Sequence, residues 1–153
     1  MTLRIVEDDP TSPALSALLA LHAASARANT PVHFTHVLVA AGLAADSVTF
    51  WTARDGGEVA GMVALKALDA THGEIKSMRT APGHLRKGVA RLLLDHTLAV
   101  ARSRGYRRVS LETGTHTDYI PANALYEAAG FVDGPVFGGY PDSPHNRFMA
   151  LTL

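Results

Sequence analysis

Cysteine is absent from this chain of 153 residues. Disulfide bonds and catalysis by a thiol are therefore excluded. A lack of disulfides is also compatible with the cytoplasmic location that we expect for the protein.

The chain also lacks long apolar runs and an excess of either charge. No apolar run approaches the roughly 18–20 residues that a membrane-spanning helix needs, and the opening MTLRIVEDDP is too acidic for a signal peptide. The 14 Lys and Arg residues balance 14 Asp and Glu residues, whereas a general nucleic-acid binder would show a basic excess. We therefore expect neither a membrane nor a nucleic acid as a partner.

The length and the hydrophobic share of 47% are typical of one globular domain, which we expect to cover residues 1–153. Turn residues separate β-rich segments from helical patterns along the chain. The predicted strands cover residues 3–6, 48–54, 59–68, 74–80, 108–113, 131–137 and 147–153, and the predicted helices cover about 13–27, 33–41, 88–104 and 121–129. Strands that first form hairpins and then alternate with helices predict a mixed sheet covered by helices, an α+β fold.

The balanced charge becomes locally basic in one stretch, RTAPGHLRKGVARLLL, which runs from Arg79 to Leu94. It passes from a strand end through a Pro/Gly turn into a helix. A helix start leaves backbone N–H groups without partners and carries a partial positive charge. Gly88 and the small Ala90 allow a phosphate to approach those groups, and Arg86, Lys87 and Arg91 add positive charge. The stretch therefore predicts a binding site for a pyrophosphate.

Three further motifs accompany the loop LRKGVA at residues 85–90: the strand GEIKSMRTAP before it, the strand LETG after it, and the segment LYEAAGF at 125–131. With these four motifs, and in the order of its elements, nearly the whole chain resembles the GNAT superfamily of acetyltransferases, and most closely a subgroup of small bacterial members. The resemblance implies a mixed, mostly antiparallel sheet that is splayed at its centre and flanked by helices. It also implies acetyl-CoA as the co-substrate.

The resemblance assigns two stretches to acetyl-CoA. The backbone of Met78, Arg79 and Thr80 would pair with the pantetheine arm as an added strand does. The pyrophosphate would bind the loop and helix start formed by Leu85, Arg86, Lys87, Gly88, Val89, Ala90 and Arg91. Leu85 departs from the Gln or Arg of the family motif, so we base the phosphate prediction on backbone N–H groups.

Tyr126 and Glu74 are the predicted catalytic residues. Acetyl transfer releases a thiolate, which a nearby phenol can protonate, and Tyr126 matches the tyrosine with this role in similar proteins. Glu74 occupies the position of a general base in several GNAT enzymes, where a carboxylate can take a proton from the attacking amine. The alternatives are that Tyr126 is a core residue and that Glu74 is a solvated charge at a strand end.

Glu112 competes with Glu74 for the role of base. Side chains alternate along a strand, so Ser110 and Glu112 share one face. Glu112 either lines the acceptor pocket or pairs with an arginine. The other predicted pocket residues are His22 and His36, on helices that wall the acceptor site in similar proteins, together with Tyr140 and Asn146 beside a Gly-Gly loop.

The eight histidines include His33 and His36 at helical i, i+3 spacing, but no HExxH motif is present, so we expect no metal. We predict an N-acetyltransferase that transfers an acetyl group from acetyl-CoA to a primary amine of a small molecule by direct attack. The alternatives are an acyl-CoA sensor without turnover and a metal hydrolase. Protein N-termini remain an open acceptor class. GNAT proteins often dimerise, so a homodimer is one expected assembly.

Overall fold

The structure is a computed structural model that describes residues 2–29 and 40–153. Seven strands form one sheet: β1 Leu3–Glu7, β2 Val48–Asp55, β3 Glu58–Ala67, β4 His72–Thr80, β5 Arg108–Gly114, β6 Val132–Asp133 and β7 Asn146–Thr152. The helices are α1 Ser16–Asn29, α2 Ala40–Leu43, α3 Val89–Ser103 and α4 Ile120–Ala128. Short 3₁₀ turns at Pro13–Leu15, Pro82–His84 and Thr117–Tyr119 precede α1, the loop before α3, and α4.

The strand order is β1-β2-β3-β4-β5-β7-β6. Every neighbouring pair is antiparallel except β4 and β5, which run parallel. Parallel strands need a crossover connection, and α3 supplies it between β4 and β5. The mixed, mostly antiparallel sheet flanked by helices confirms the predicted fold class.

The sheet opens at its centre, between the two parallel strands. Pairing of β4 with β5 begins at His72 and Arg108 and ends at Ile75 and Leu111. Beyond that point β4 continues to pair with β3 as far as Thr80. The rest of β5 pairs only on its other side, with β7. We call this opening the split. Along it, one backbone edge of residues 76–80 no longer pairs with β5, which confirms the splayed centre of the sheet.

Each face of the sheet has its own core. On one face, α3 and α4 cover a large cluster that includes Val63, Leu65, Ile75, Leu93 and Leu111. The apolar positions of α3 recur at helical spacing, and six of its residues are buried: Val89, Leu93, Leu94, Thr97, Leu98 and Ala101. On the other face a smaller cluster joins Leu15 and Leu18 to Phe50 and Met62. Beside that cluster, the second face of β4, β5 and β7 carries polar and aromatic residues.

Gly61 lets α3 begin close against the sheet. A Cβ at this position would lie 2.7 Å from Val89 Cγ1 and 2.9 Å from the Arg79 carbonyl oxygen. Any larger residue would therefore push the start of α3 away from β3 and β4.

Two predicted elements differ from the structure. The strand expected at 131–137 is wrong in extent, because β6 covers only Val132 and Asp133. The Gly134 N–H makes one further bond to the Phe148 carbonyl, and Pro135 then has no N–H to continue the ladder. The segment 134–145 therefore leaves the sheet and crosses its second face. Of the helix expected at 33–41, residues 33–39 lie outside the described residues, and α2 occupies Ala40–Leu43.

Candidate active site

The loop before α3 exposes a helix start that no side chain caps. Gly88 is the N-cap residue with φ of +80°, and its position is capped by no side-chain hydrogen bond. Arg86 also has a positive φ, +62°. The first turn of α3 carries no acidic residue, so the partial positive charge of the helix start is not neutralised there. These features suit the binding of an anion through backbone N–H groups.

The side chains of the loop differ in their freedom. Leu85, which departs from the family motif, is 58% exposed. Arg86 and Lys87 are exposed. Arg91 is exposed and lies 3.9 Å from Asp95 one turn along the helix. Val89 is buried and Ala90 is half-buried, so these two contribute backbone and packing rather than charge.

His84 anchors the loop to the β2–β3 turn, and the sequence reasoning did not single it out. Its side chain is buried, and Nε2 lies 3.1 Å from a Glu58 carboxylate oxygen. Its Nδ1 is 3.9 Å from Asp55 Oδ2. The short spacing of Asp55 and Glu58 around two glycines was the signal available in the sequence, because such a turn brings both carboxylates to one end of a hairpin.

The predicted pantetheine edge, Met78 to Thr80, lies along the split. Arg79 pairs with Met62 and Thr80 with Gly61 on the β3 side, so the opposite edge of these residues faces the opening. The register shifts between Met62 and Ala64, and Ser77 takes a φ of +56°. A bulge of this kind redirects the backbone groups that follow it. The backbone of Met78 and Arg79, the predicted N–H donors, therefore runs along the split.

His22 of α1 lies near this edge. Burial, with a smaller contribution from the Arg79 charge, lowers the pKa of His22 to about 4. The imidazole is therefore neutral at physiological pH, and its buried Nδ1 has no hydrogen-bond partner. His36, the other predicted pocket histidine, lies outside the described residues, as does His33. Within the described residues, no three His, Asp or Glu side chains form a group that could hold a metal ion.

Glu74 is a buried carboxylate that accepts two hydrogen bonds, and it is not solvated. It is 2% exposed, and its Oε2 accepts hydrogen bonds from Lys76 Nζ at 2.9 Å and from the Tyr140 hydroxyl at 2.6 Å. Lys76 Nζ also donates to the Tyr140 hydroxyl and lies 5.0 Å from the centre of the Tyr140 ring. Burial, followed by the charge of Glu74, raises the pKa of Tyr140. The phenol therefore stays protonated and remains a donor to Glu74.

Glu112 lies across the split from Lys76 and has a different environment. The Asn146 amide nitrogen donates to Glu112 Oε2 at 2.6 Å. Burial raises the pKa of Glu112 to about 7, while the Asn146 hydrogen bond and the Lys76 charge act in the lowering direction. Phe148 is the cross-strand partner of Glu112 in β7, so the two side chains lie on the same face of the sheet. Glu112 thus changes its charge in the range where a general base must act.

An aromatic group covers these polar residues. The rings of Phe137, Tyr140 and Phe148 meet one another at centroid distances of 5.5 to 6.1 Å. Phe137 also lies 6.1 Å from the ring of His72, whose Nε2 is 2.7 Å from Ser110 Oγ. The segment 134–145 therefore closes over the second face of the sheet beside the split.

Tyr126 lies on the opposite face of the sheet from Glu74 and Glu112. It belongs to the cluster of α3 and α4 and contacts Phe131 edge-on at 5.9 Å. Burial raises the pKa of Tyr126 to about 12, so it is protonated at physiological pH. Ile75 and Leu111, the last residues paired before the split, belong to this same cluster.

Lys76 is the main candidate site residue that sequence reasoning missed. The alternation that placed Ser110 and Glu112 on one face also places Glu74 and Lys76 on one face, so the signal was present. Asn146 was named as a pocket residue, but its bond to Glu112 was not predicted. These two side chains distinguish the environments of the two competing carboxylates.

Comparison with known proteins shows the family of the chain. The family model described as "Acetyltransferase (GNAT) family" matches residues 15–131. The chain is 46% identical over 149 residues to the uncharacterized N-acetyltransferase YedL of Escherichia coli (strain K12), covering 97% of this chain and 94% of that protein. A Klebsiella pneumoniae structure provisionally described as an acyl-CoA N-acyltransferase superposes with a TM-score of 0.81 at 26% identity, with 99% of this chain and 98% of that one covered.

A GNAT-family acetyltransferase from Elizabethkingia anophelis, solved with acetyl-CoA bound, has the same fold. It superposes with a TM-score of 0.69 at 18% identity, over 99% of this chain and 98% of that one.

Among the described residues, no helix has the length and apolar character that crossing a membrane requires.

Proposed function

The chain belongs to the acetyltransferase (GNAT) family and is an N-acetyltransferase, and on that premise we propose that it transfers an acetyl group from acetyl-CoA to a primary amine of a small molecule. The observation that carries the proposal is the split between β4 and β5. Lys76 and Glu112 follow the last paired residues, where the split begins, and its far end at Arg79 and Thr80 lies beside the uncapped start of α3.

Two features of the chain fit acetyl-CoA. The start of α3 offers uncapped backbone N–H groups for the pyrophosphate, and the open edge of residues 78–80 offers strand-like pairing for the pantetheine arm. The related fold from Elizabethkingia anophelis binds the same molecule. Acetyl-CoA supplies an activated acetyl group with a thiolate as the leaving group.

The residues around the split would divide the chemistry among them. Backbone N–H groups at Met78 and Arg79 would polarise the thioester carbonyl. The amine nitrogen attacks the carbonyl carbon, the carbon–sulfur bond breaks, and the amine proton passes to a glutamate. Tyr126, which stays protonated because its pKa is raised to about 12, would donate a hydrogen bond to the departing sulfur, and CoA leaves as the thiolate. Holding both substrates at the split contributes to the rate through proximity.

We assign the role of base to Glu112 and a supporting role to Glu74. Glu74 Oε2 already accepts hydrogen bonds from Lys76 and Tyr140, so this oxygen is engaged by the protein itself. Glu112 has a pKa raised to about 7, so it can accept a proton and release it again near neutral pH. Glu74 would then support the site by holding the side chains of Lys76 and Tyr140 in place beside the split.

Release of CoA in the presence of a panel of primary amines, measured from about pH 5 to pH 9, tests the proposal. We expect Glu112→Gln to reduce kcat/KM about 100-fold or more. Glu74→Gln should keep most activity and move the acid limb to lower pH, because the Glu74 charge raises the pKa of Glu112. The matched control is Glu127→Gln, which changes an exposed glutamate on α4 and should leave the profile unchanged.

Two outcomes would contradict parts of the proposal. If Glu74→Gln abolishes turnover and Glu112→Gln preserves it, Glu74 is the base. If the wild-type protein binds acetyl-CoA but acetylates none of the amines, the acceptor is not a small primary amine, and protein N-termini become the next class to assay.

A further inference from the structure

A directional chain of hydrogen bonds ends on Glu112. The backbone N–H of His145 donates to Ser143 Oγ at 3.2 Å. The Ser143 hydroxyl in turn donates to Asn146 Oδ1, which leaves the Asn146 amide nitrogen to donate to Glu112 Oε2 at 2.6 Å. Because Ser143 engages the amide oxygen, the amide has one orientation, with its N–H groups toward the carboxylate.

The turn that carries this chain is fixed to the end of β5. The Thr115 hydroxyl donates to the Pro144 carbonyl at 2.7 Å, and the Thr115 N–H donates to the His145 carbonyl at 3.3 Å. Asn146 itself is 8% exposed and lies opposite Gly114 in the β5–β7 ladder. Glu112 and Asn146 therefore sit on neighbouring strands whose separation is held by the same turn.

We propose that Asn146, oriented by Ser143, is a positioning residue for the Glu112 carboxylate, and that the turn at 143–146 is therefore part of the acetyl-transfer site. The proposal rests on the proposed function insofar as Glu112 is the base. Asn146 does not touch the reacting atoms; it acts by holding the carboxylate in one rotamer and by stabilising its ionised form through a donated hydrogen bond.

Other groups also affect the pKa of Glu112, and the effect of Asn146 must be distinguished from theirs. From β4, Lys76 favours the ionised carboxylate and Glu74 opposes it. From the segment 134–145, Tyr140 interacts electrostatically with Glu112, and Phe148 of β7 covers it. None of these groups is altered by changing Asn146 or Ser143, so a shift seen in both variants reports the hydrogen-bond chain.

Two readouts test the proposal: titration of the Glu112 carboxyl by ¹³C NMR, with its signal identified by its loss in Glu112→Gln, and the acid limb of kcat/KM. We expect Asn146→Ala to raise the Glu112 pKa seen by NMR and the pH midpoint of the acid limb by about one pH unit each. The KM for acetyl-CoA should be unchanged. Ser143→Ala, a milder change that leaves the amide in place, should shift both in the same direction by less. The control is Arg147→Gln, which removes the ion pairs of the next β7 residue with Asp133 and Glu127 and should move neither value.

The readouts separate failure of this inference from failure of the base assignment. If neither Asn146→Ala nor Ser143→Ala changes the NMR titration of Glu112, the positioning role is overturned, whatever happens to kcat. If the NMR titration shifts and the acid limb does not, Asn146 holds a carboxylate that is not the base. That result would overturn the catalytic role of the turn together with the assignment of Glu112.

Discussion

Ile75 of β4 and Leu111 of β5 are the last residues paired across the only parallel junction between described strands of the sheet. Both side chains are buried on the face covered by α3. The next residue of each strand, Lys76 and Glu112, therefore points to the other face, at the point where the strands separate. One apolar pair thus closes the sheet and sets a cation and a carboxylate on the two sides of its opening.

The Gly88→Ala variant tests the use of the α3 start as an anion site. At φ of +80° an added Cβ meets no atom within 4 Å, so the effect is backbone strain and not a clash. We expect affinity for acetyl-CoA, measured by titration calorimetry, to fall about 10-fold as the loop adopts another path.

Gly105→Ala is the matched control for this change. Gly105 has the same φ of +80°, also meets nothing within 4 Å, and lies at the opposite end of α3. It should lower thermal stability to a similar degree and leave the affinity for acetyl-CoA unchanged. Equal affinity for acetyl-CoA in both variants would argue against the helix start as the phosphate site.

The Tyr126→Phe variant separates a proton donor from a core residue. The ring and its contact with Phe131 are kept, so the fold and acetyl-CoA binding should be retained. Loss of the hydroxyl removes the donor to the departing sulfur, and we expect kcat to fall about 100-fold. Tyr119→Phe, at the turn before α4, is the control. Full activity in Tyr126→Phe would leave Tyr126 with a packing role alone.

The Glu112→Gln variant should be less active than wild type but more stable at high pH. Because the folded pKa of Glu112 is raised from 4.5 to about 7, its contribution to stability is present below the unfolded value and is lost as pH rises through about 7. The glutamine avoids this loss. We expect Glu112→Gln to gain about 2 kcal/mol in free energy of unfolding relative to wild type at about pH 8, and much less at about pH 5.

Urea unfolding at the two pH values measures this difference. Glu127→Gln, an exposed glutamate paired with Arg147, provides the control and should show no such rise with pH. A Glu112→Gln variant that is equally or less stable than wild type at the higher pH would mean that burial does not destabilise the ionised Glu112 carboxylate.

Much of the site was predictable because it is local in sequence. The glycine start of α3 follows β4 within one short loop, so the helix start at Gly88 could be predicted from the local sequence. Strand alternation likewise places Ser110 with Glu112. The predicted strand at 131–137 was too long, since β6 ends at Asp133. Apolar residues that continue to Phe137 favoured the longer strand. Gly134 and Pro135 were the signal against it, because proline has no N–H for the ladder.

The sequence by itself determined the family and the fold class, and it named Glu74 and Glu112 as the two candidate bases, since each of these depends on motifs and periodicities within single elements. The tertiary structure decided what each carboxylate meets. Tyr140 reaches Glu74 across 66 residues and Asn146 reaches Glu112 across 34. Charge state in a buried site depends on such distant partners and on the loss of water around them, and neither can be read from the residues on one strand.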